Sequence, residues 1–198
     1  MDNCATIMQT LQQQTRRLHH EVEDTVRLED RLSSLESYGQ LLACFYGLYA
    51  PLEQRLESQD CSTATGINLT QRQKAHLIPI DLTALGWTKS QINSIAWCKN
   101  LPEVHDPANA LGTLYVLEGS TLGGQVICRE AQKRLDLSAQ HGCSFFAGYG
   151  EQTRPMWQDF GEKVAAFHRT HPQSETEIIA SANETFTCFK EWIQCRAT

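Results

Sequence analysis

The chain has 198 residues, of which 41% are hydrophobic and 20% are charged. This length and composition are typical of one globular domain with its own hydrophobic core. The formal net charge of −6 argues against a general binder of nucleic acid or of anionic membranes, since both of those partners are negatively charged.

Helical periodicity of the apolar residues dominates the sequence, and we find no strand pattern and no internal repeat. The predicted helices and helical turns cover residues 5–24, 35–56, 71–77, 82–85, 90–98, 107–135, 155–170 and 174–193. Asp106 and Pro107 mark the start of the longest helix, because Asp is a favoured cap and Pro is favoured at the first helical position. The sequence therefore predicts an all-α fold with a single domain over residues 1–198.

The first predicted helix carries the segment TRRLHHEVE, residues 15–23. Thr15, His19 and Glu23 are spaced four residues apart and lie on one side of the helix, beside a series of apolar residues. An imidazole and a carboxylate in a partly buried place need to be paired or to bind a metal. Heme iron takes a neutral imidazole whose other ring nitrogen is held by a carboxylate, a carbonyl or water. The pattern fits His19 as a metal ligand supported by Glu23; a histidine satisfied within the core is the alternative. We expect His20 to point to the surface.

The longest helix contains three glycines, Gly119, Gly123 and Gly124, within six residues. A glycine inside a helix costs roughly 0.5–1 kcal/mol relative to alanine, so this cluster needs a physical reason. The three positions share one face and expose a strip of bare backbone. Either a large flat ligand lies against that strip, or another helix packs closely on it.

Together the two segments resemble the heme oxygenase family, whose proximal helix carries T-x-x-x-H-x-x-x-E and whose distal helix carries G-x-x-x-G-G. The segment LYVLEGSTLGGQVI, residues 114–127, is most similar to the bacterial heme oxygenases that accompany bacteriophytochromes. Residues 145–160 and 182–193 resemble the same subgroup. The resemblance therefore covers nearly the whole chain.

The resemblance implies a helical bundle that holds heme between a proximal helix and a kinked distal helix. Heme would be both cofactor and substrate, cleaved with dioxygen to biliverdin, carbon monoxide and ferrous iron. The residues that it assigns are His19 as the iron ligand, Thr15 and Glu23 as the rest of the proximal motif, and Gly119, Ser120, Gly123 and Gly124 as the catalytic distal residues.

Four further residues are candidates for heme binding. Arg129 lies towards the end of the distal helix, and arginine gives two parallel donors to a carboxylate such as a heme propionate. A solvated charge is the alternative for Arg129. Tyr115, Phe186 and Phe189 are candidate walls of an apolar pocket, although aromatic residues at helical spacing are usually plain core.

Ser120 departs from the family pattern, because the best-known members carry an aspartate there that orders the waters for proton delivery. A hydroxyl can hold a water, but it carries no charge at neutral pH. This departure keeps an alternative open, a non-catalytic heme carrier or sensor on the same fold. The eight cysteines show no zinc-site spacing, and a cysteine-ligated heme is a weaker alternative to His19.

The expected partners follow from what the sequence lacks. It has no flavin or nicotinamide fingerprint such as G-x-G-x-x-G after a strand, so electrons come from outside. The resemblance implies a ferredoxin or flavodoxin-type donor, and a bacteriophytochrome as recipient of biliverdin. A basic patch of Arg16, Arg17, Arg27 and Arg129 is the candidate docking surface. With no signal-peptide core and no apolar run of membrane-spanning length, we expect a cytoplasmic protein.

Overall fold

The computed structural model describes residues 6–59 and 61–196, and helices dominate this part of the chain. They are α1 Ile7–Val26, α2 Leu28–Arg31, α3 Leu35–Glu57, α4 Ser62–Thr65, α5 Leu77–Ala84, α6 Lys89–Asn93, α7 Pro107–Leu135, α8 Ser144–Ala147, α9 Thr153–Thr170 and α10 Glu175–Gln194. Within the described residues the extended pairing is limited to isolated bridges at Ser138. The predicted all-α fold is confirmed. None of the described helices is both long and apolar enough to cross a membrane.

The five long helices, α1, α3, α7, α9 and α10, agree with the predicted ones to within two residues where both ends are described. Residue 5, the predicted start of the first helix, lies outside the described residues. The start of α7 forms for the predicted reason: the Asp106 carboxylate accepts a hydrogen bond from the Asn109 amide at 2.9 Å, and Pro107 occupies the first turn. From there α7 continues through all three glycines.

The predictions for residues 71–98 were wrong in detail. Residues 71–76 form turns rather than a helix, and α5 begins at Leu77. Pro79 fits inside α5 because it stands in the first turn, where an amide N–H has no partner within the helix. The turn predicted at 82–85 is the end of α5, and the helix predicted at 90–98 is the shorter α6.

The last helix, α10, holds the bundle together because it packs against both α1 and α7. A side chain at Gly112 of α7 would run into the α10 backbone at Ile178, so the two helices cross at close range. On the other side of α10, the Lys190 ammonium lies 2.9 Å from the Glu21 carboxylate of α1. This hydrogen bond is the main reason why the pKa of Glu21 is lowered.

A cluster of buried charges ties the irregular chain before α5 to α7 and α9. The Glu118 carboxylate of α7 accepts hydrogen bonds from Lys74 at 2.8 Å, from the Tyr149 hydroxyl at 2.7 Å and from Arg72. Arg72 also donates to Asp159 of α9 at 2.6 Å. Burial, together with the Glu118 carboxylate, raises the pKa of Tyr149. Because Arg72, Lys74 and Glu118 are almost inaccessible to water, each charge depends on the others for solvation.

The substitution Glu118→Gln should destabilise the protein strongly, because it leaves two buried cations without their shared carboxylate. Breaking a buried ion pair from one side costs about 3–5 kcal/mol of unfolding free energy, which urea denaturation followed by circular dichroism would measure. Glu130→Gln on the same helix is the matched control. Its ion pair with Lys133 is solvent-accessible, and that variant should unfold nearly as the parent does. Equal unfolding midpoints for both variants would contradict this account.

Candidate functional site

A cavity of about 1020 Å³ lies between α1 and α7. Its mouth is formed by exposed residues, Arg16, His19 and Glu23 from α1 and Gly123 and Val126 from α7. Its inner end is buried and mainly aromatic, with residues from α3, α8 and α10. The volume is at the upper end of the roughly 300–1000 Å³ typical of small-molecule sites, so the cavity accepts a large, mostly apolar ligand.

His19 lies on the α1 wall, with its side chain about half exposed at 52%. Its ring meets the edge of Phe186 from α10, with 5.6 Å between centroids. The packing of Phe186 limits how the imidazole can turn, so the ring is presented to the cavity. Both of these predicted residues line the cavity together.

Glu23 lies between two histidines. One carboxylate oxygen is 3.7 Å from Nε2 of His19, too far for a hydrogen bond, and the other is 3.2 Å from Nδ1 of His20. The predicted support of His19 by Glu23 is therefore present as proximity, while the hydrogen bond goes to His20. His20 is exposed, as expected, and it also lines the cavity.

Thr15 does not line the cavity, contrary to its predicted place among the binding residues. It is buried, and its hydroxyl donates to the Leu11 carbonyl at 2.7 Å. The Thr15 side chain also interacts with the Tyr115 hydroxyl of α7, so this pair links α1 to α7. Tyr115 lies on the cavity wall as predicted, and burial raises its pKa. Thr15 thus shapes the site by holding its two main walls together.

The three glycines of α7 have different surroundings. A side chain at Gly123 would meet nothing within 4 Å, so its backbone is open to the cavity mouth. A Cβ at Gly119 would touch the Trp157 ring at 3.6 Å, which is ordinary contact. A Cβ at Gly124 would lie 2.8 Å from the Phe146 carbonyl oxygen, closer than packing allows. The two explanations offered from the sequence therefore apply to different residues: open backbone at Gly123, close packing at Gly124.

Ser120 lines the cavity and is hydrogen-bonded to Tyr49 of α3, with 2.5 Å between the two oxygens. The Ser120 hydroxyl donates its own proton to the Leu117 carbonyl at 2.7 Å. Tyr49 is consequently the donor in the shared bond. Burial raises the pKa of Tyr49, so its phenol holds its proton at neutral pH. Ser120 retains a lone pair that can accept from a water in the cavity.

Of the residues at the inner end, the sequence offered only Phe189 as a candidate for the cavity wall. The Tyr49 ring contacts Phe145 and Phe189 with centroids 5.0 and 5.7 Å apart, and Phe45 contacts Phe146 at 5.3 Å. Lys74 also lines the cavity here. In the sequence these residues belong to segments far apart, and aromatic residues at helical spacing cannot be told from ordinary core.

The predicted basic residues are only partly at the cavity. Arg16 lines the mouth and is exposed. Arg129 is exposed but is not among the lining residues, so its role towards a propionate stays a prediction. Arg17 and Arg27 are paired with Glu21 and Asp30 of the same stretch of chain. Of the four arginines in the candidate basic patch, Arg16 is the one that lines the cavity, and all four are exposed.

The comparison with protein families agrees with this geometry. The heme oxygenase family model matches residues 5–195. The chain belongs to the heme oxygenase family. That membership implies that heme is the substrate. A search of the curated proteins gave no match.

Solved structures of heme oxygenases share the fold. The NO- and CO-bound heme oxygenase of Neisseria meningitidis has a TM-score of 0.80 at 24% identity, covering 98% of this chain and 92% of that one. The enzyme of Leptospira interrogans gives 0.75 at 17% identity, covering 96% and 99%. Heme oxygenase 2 of Chlamydomonas reinhardtii, solved without heme, gives 0.70 at 20% identity, covering 96% and 97%. At these identities the likeness concerns the fold.

Alanine substitutions should separate the two glycines of the G-G pair. Gly123→Ala meets open space and should raise the free energy of unfolding by about 0.5–1 kcal/mol through helix propensity. Gly124→Ala should lower it by about 1–3 kcal/mol, because its methyl group overpacks the Phe146 backbone. Urea denaturation of the ligand-free protein measures both. The distinction fails if Gly124→Ala is as stable as Gly123→Ala.

Proposed function

We propose that this protein is a heme oxygenase that cleaves heme oxidatively to biliverdin, carbon monoxide and ferrous iron. The observation that carries the proposal is one large cavity lined both by His19 of α1 and by the open backbone at Gly123 of α7. Family membership supports the same substrate. Heme, when bound, would supply both the iron that takes up dioxygen and the ring that is cleaved.

The residues present fit heme. His19 offers an imidazole at the cavity surface, which is a common ligand of heme iron. Gly123 leaves room for a flat ring to approach the main chain of α7, and Phe186 and Tyr115 offer apolar contact. Arg16 at the mouth is suited to a propionate, and it has no ion-pair partner within residues 6–59 and 61–196.

Tyr49 and Ser120 would form the hydrogen-bonding groups for proton delivery at the inner end of the cavity. Tyr49 holds a proton at its hydroxyl oxygen, and Ser120 accepts it in a hydrogen bond while retaining capacity to accept from one water. The carboxylate among the lining residues of the described chain is Glu23, which lies at the mouth. We infer that water held by Ser120 and the glycine backbone replaces the distal aspartate in proton delivery.

Electrons would come from a ferredoxin or flavodoxin-type donor that docks near the cavity mouth, where Arg16 is exposed. The resemblance in sequence further suggests a bacteriophytochrome as recipient of biliverdin and a cytoplasmic location. These partners remain proposals.

A non-catalytic heme carrier is the second candidate, and a specific observation favours it. The Ser120 proton is engaged by the Leu117 carbonyl, and no acidic side chain stands at the inner end among the lining residues of the described ranges. A carrier would need only the His19 wall and the apolar cavity, both of which are present.

Turnover separates the enzyme from the carrier. The purified protein is loaded with heme and given ascorbate, or ferredoxin with its reductase, in air. We expect the heme absorption band to decay while the broad red band of biliverdin rises and carbon monoxide is released. His19→Ala should lose the histidine-type spectrum before turnover; an unchanged spectrum would show that another residue is the ligand. If heme persists with every electron donor, the proposed enzymatic activity is contradicted and the proposal of a heme carrier is supported.

Substitutions at Ser120 test the proton route. Since Ser120 acts as an acceptor beside Tyr49, Ser120→Ala should slow heme decay only a few-fold, well below the roughly 100-fold loss typical of a positioned acid or base. Ser120→Asp adds a carboxylate and should change the ratio of biliverdin isomers, read by chromatography. A loss above 100-fold in Ser120→Ala would make this hydroxyl the proton donor and contradict the assignment.

A further inference from the structure

We propose that His19, His20 and Glu23 form a binding site for a divalent ion of the zinc type, and that an ion bound there excludes heme. The ion site stands on its own geometry. The competition rests on the proposed function, in which His19 ligates heme iron.

The three side chains already converge. Each offers one ligand atom, and these atoms all lie within 4.8 Å of one another. The Glu23 oxygens are 3.7 Å from Nε2 of His19 and 3.2 Å from Nδ1 of His20. Tetrahedral ligands held at 2.0–2.1 Å from zinc lie about 3.3 Å from each other. Small side-chain rotations are therefore enough to close the site.

The donor chemistry favours zinc, nickel or copper over calcium or magnesium. Two imidazoles and one carboxylate are typical ligands for the former ions, whereas the latter prefer an all-oxygen shell. Three protein ligands leave a fourth position for water. One helix supplies all three residues within two turns, so the site needs little ordering of the backbone.

The exposure of the three side chains and the charge of Glu23 also favour binding of a cation. All three side chains are more than half exposed, so an ion reaches them from solvent. Glu23 forms no ion pair with a lysine or arginine within the described part of the chain, where its partners are the two imidazoles. Neighbouring Glu21, by contrast, is taken by Arg17 and Lys190. The free charge of Glu23 is thus available to a cation.

Competition follows from the shared histidine. The His19 nitrogen nearest to Glu23 is Nε2, and an imidazole held in an ion chelate cannot turn to ligate a second metal. An occupied ion site would also place water and charge at the apolar cavity mouth. The cavity would then reject heme for as long as the ion stays bound.

The test uses the full-length protein purified without heme, with zinc as the probe. Zinc is titrated against a chromogenic chelator just above neutral pH, and heme is titrated separately by absorbance with and without saturating zinc. We expect one zinc per chain, lost in His19→Ala, His20→Ala and Glu23→Gln. His168→Ala is the matched control. His168 lies 2.9 Å from Glu175, and among the described residues this pair has no third metal ligand beside it. The control should bind zinc like the parent.

Heme titration completes the test. Zinc should weaken heme binding by the parent at least tenfold, and His20→Ala should bind heme equally with or without zinc. Zinc that fails to bind, or that binds equally well to His20→Ala and Glu23→Gln, overturns the ion site. Zinc bound at these residues without any effect on heme overturns the competition. If the parent binds no heme at all, the proposed function fails, while the zinc titration still decides the ion site.

Discussion

The buried carboxylate of Glu118 is the constraint on which the architecture of the site depends. Removing a carboxylate, a guanidinium and an ammonium from water is expensive, and the arrangement is tolerable only if every donor finds an acceptor. That condition is met: Lys74 donates to Glu118, to Tyr149 and to the Arg72 carbonyl. These hydrogen bonds fix the irregular chain at residues 72–74 against α7. The contact is at Glu118, two residues before Ser120. The segment of α7 that faces the cavity is thereby held from behind.

This anchoring explains how α7 can carry an open face. Its first half is buried on nearly every side, whereas Gly123 and Val126 are exposed at the cavity mouth. A helix with bare backbone on one side needs support on the other. Gly124 provides it by close contact with the Phe146 backbone of α8. The open backbone at Gly123 therefore lies directly beside a tightly packed position.

The parts predictable from sequence were those with local physical causes. Periodic apolar residues placed the long helices, a cap placed the start of α7, and the i, i+4 spacing placed His19 beside Glu23 on one side of α1. The errors arose where contacts between segments far apart in the sequence determine the structure. Nothing local to Glu118 reveals that Lys74 and Arg72, more than forty residues away, will neutralise it. Likewise Thr15 fits its motif in sequence, yet its hydroxyl donates to the Leu11 carbonyl and does not line the cavity.

The two ends of the cavity differ in polarity, which would favour one orientation of a bound ligand. Exposed charges, Arg16 among them, lie at the mouth, and the inner end is aromatic. Lys74 lines that inner end, but its three ammonium protons are already donated to Glu118, Tyr149 and the Arg72 carbonyl, so it has none for a ligand carboxylate. A flat ligand with carboxylates on one edge, as heme has, would therefore be bound with that edge at the mouth and its apolar edge inside. The inner edge would then lie nearest to the Tyr49 and Ser120 hydroxyls. Under the proposed function, the same polarity that orients the ligand would also decide which part of its ring lies nearest to the water held by Ser120.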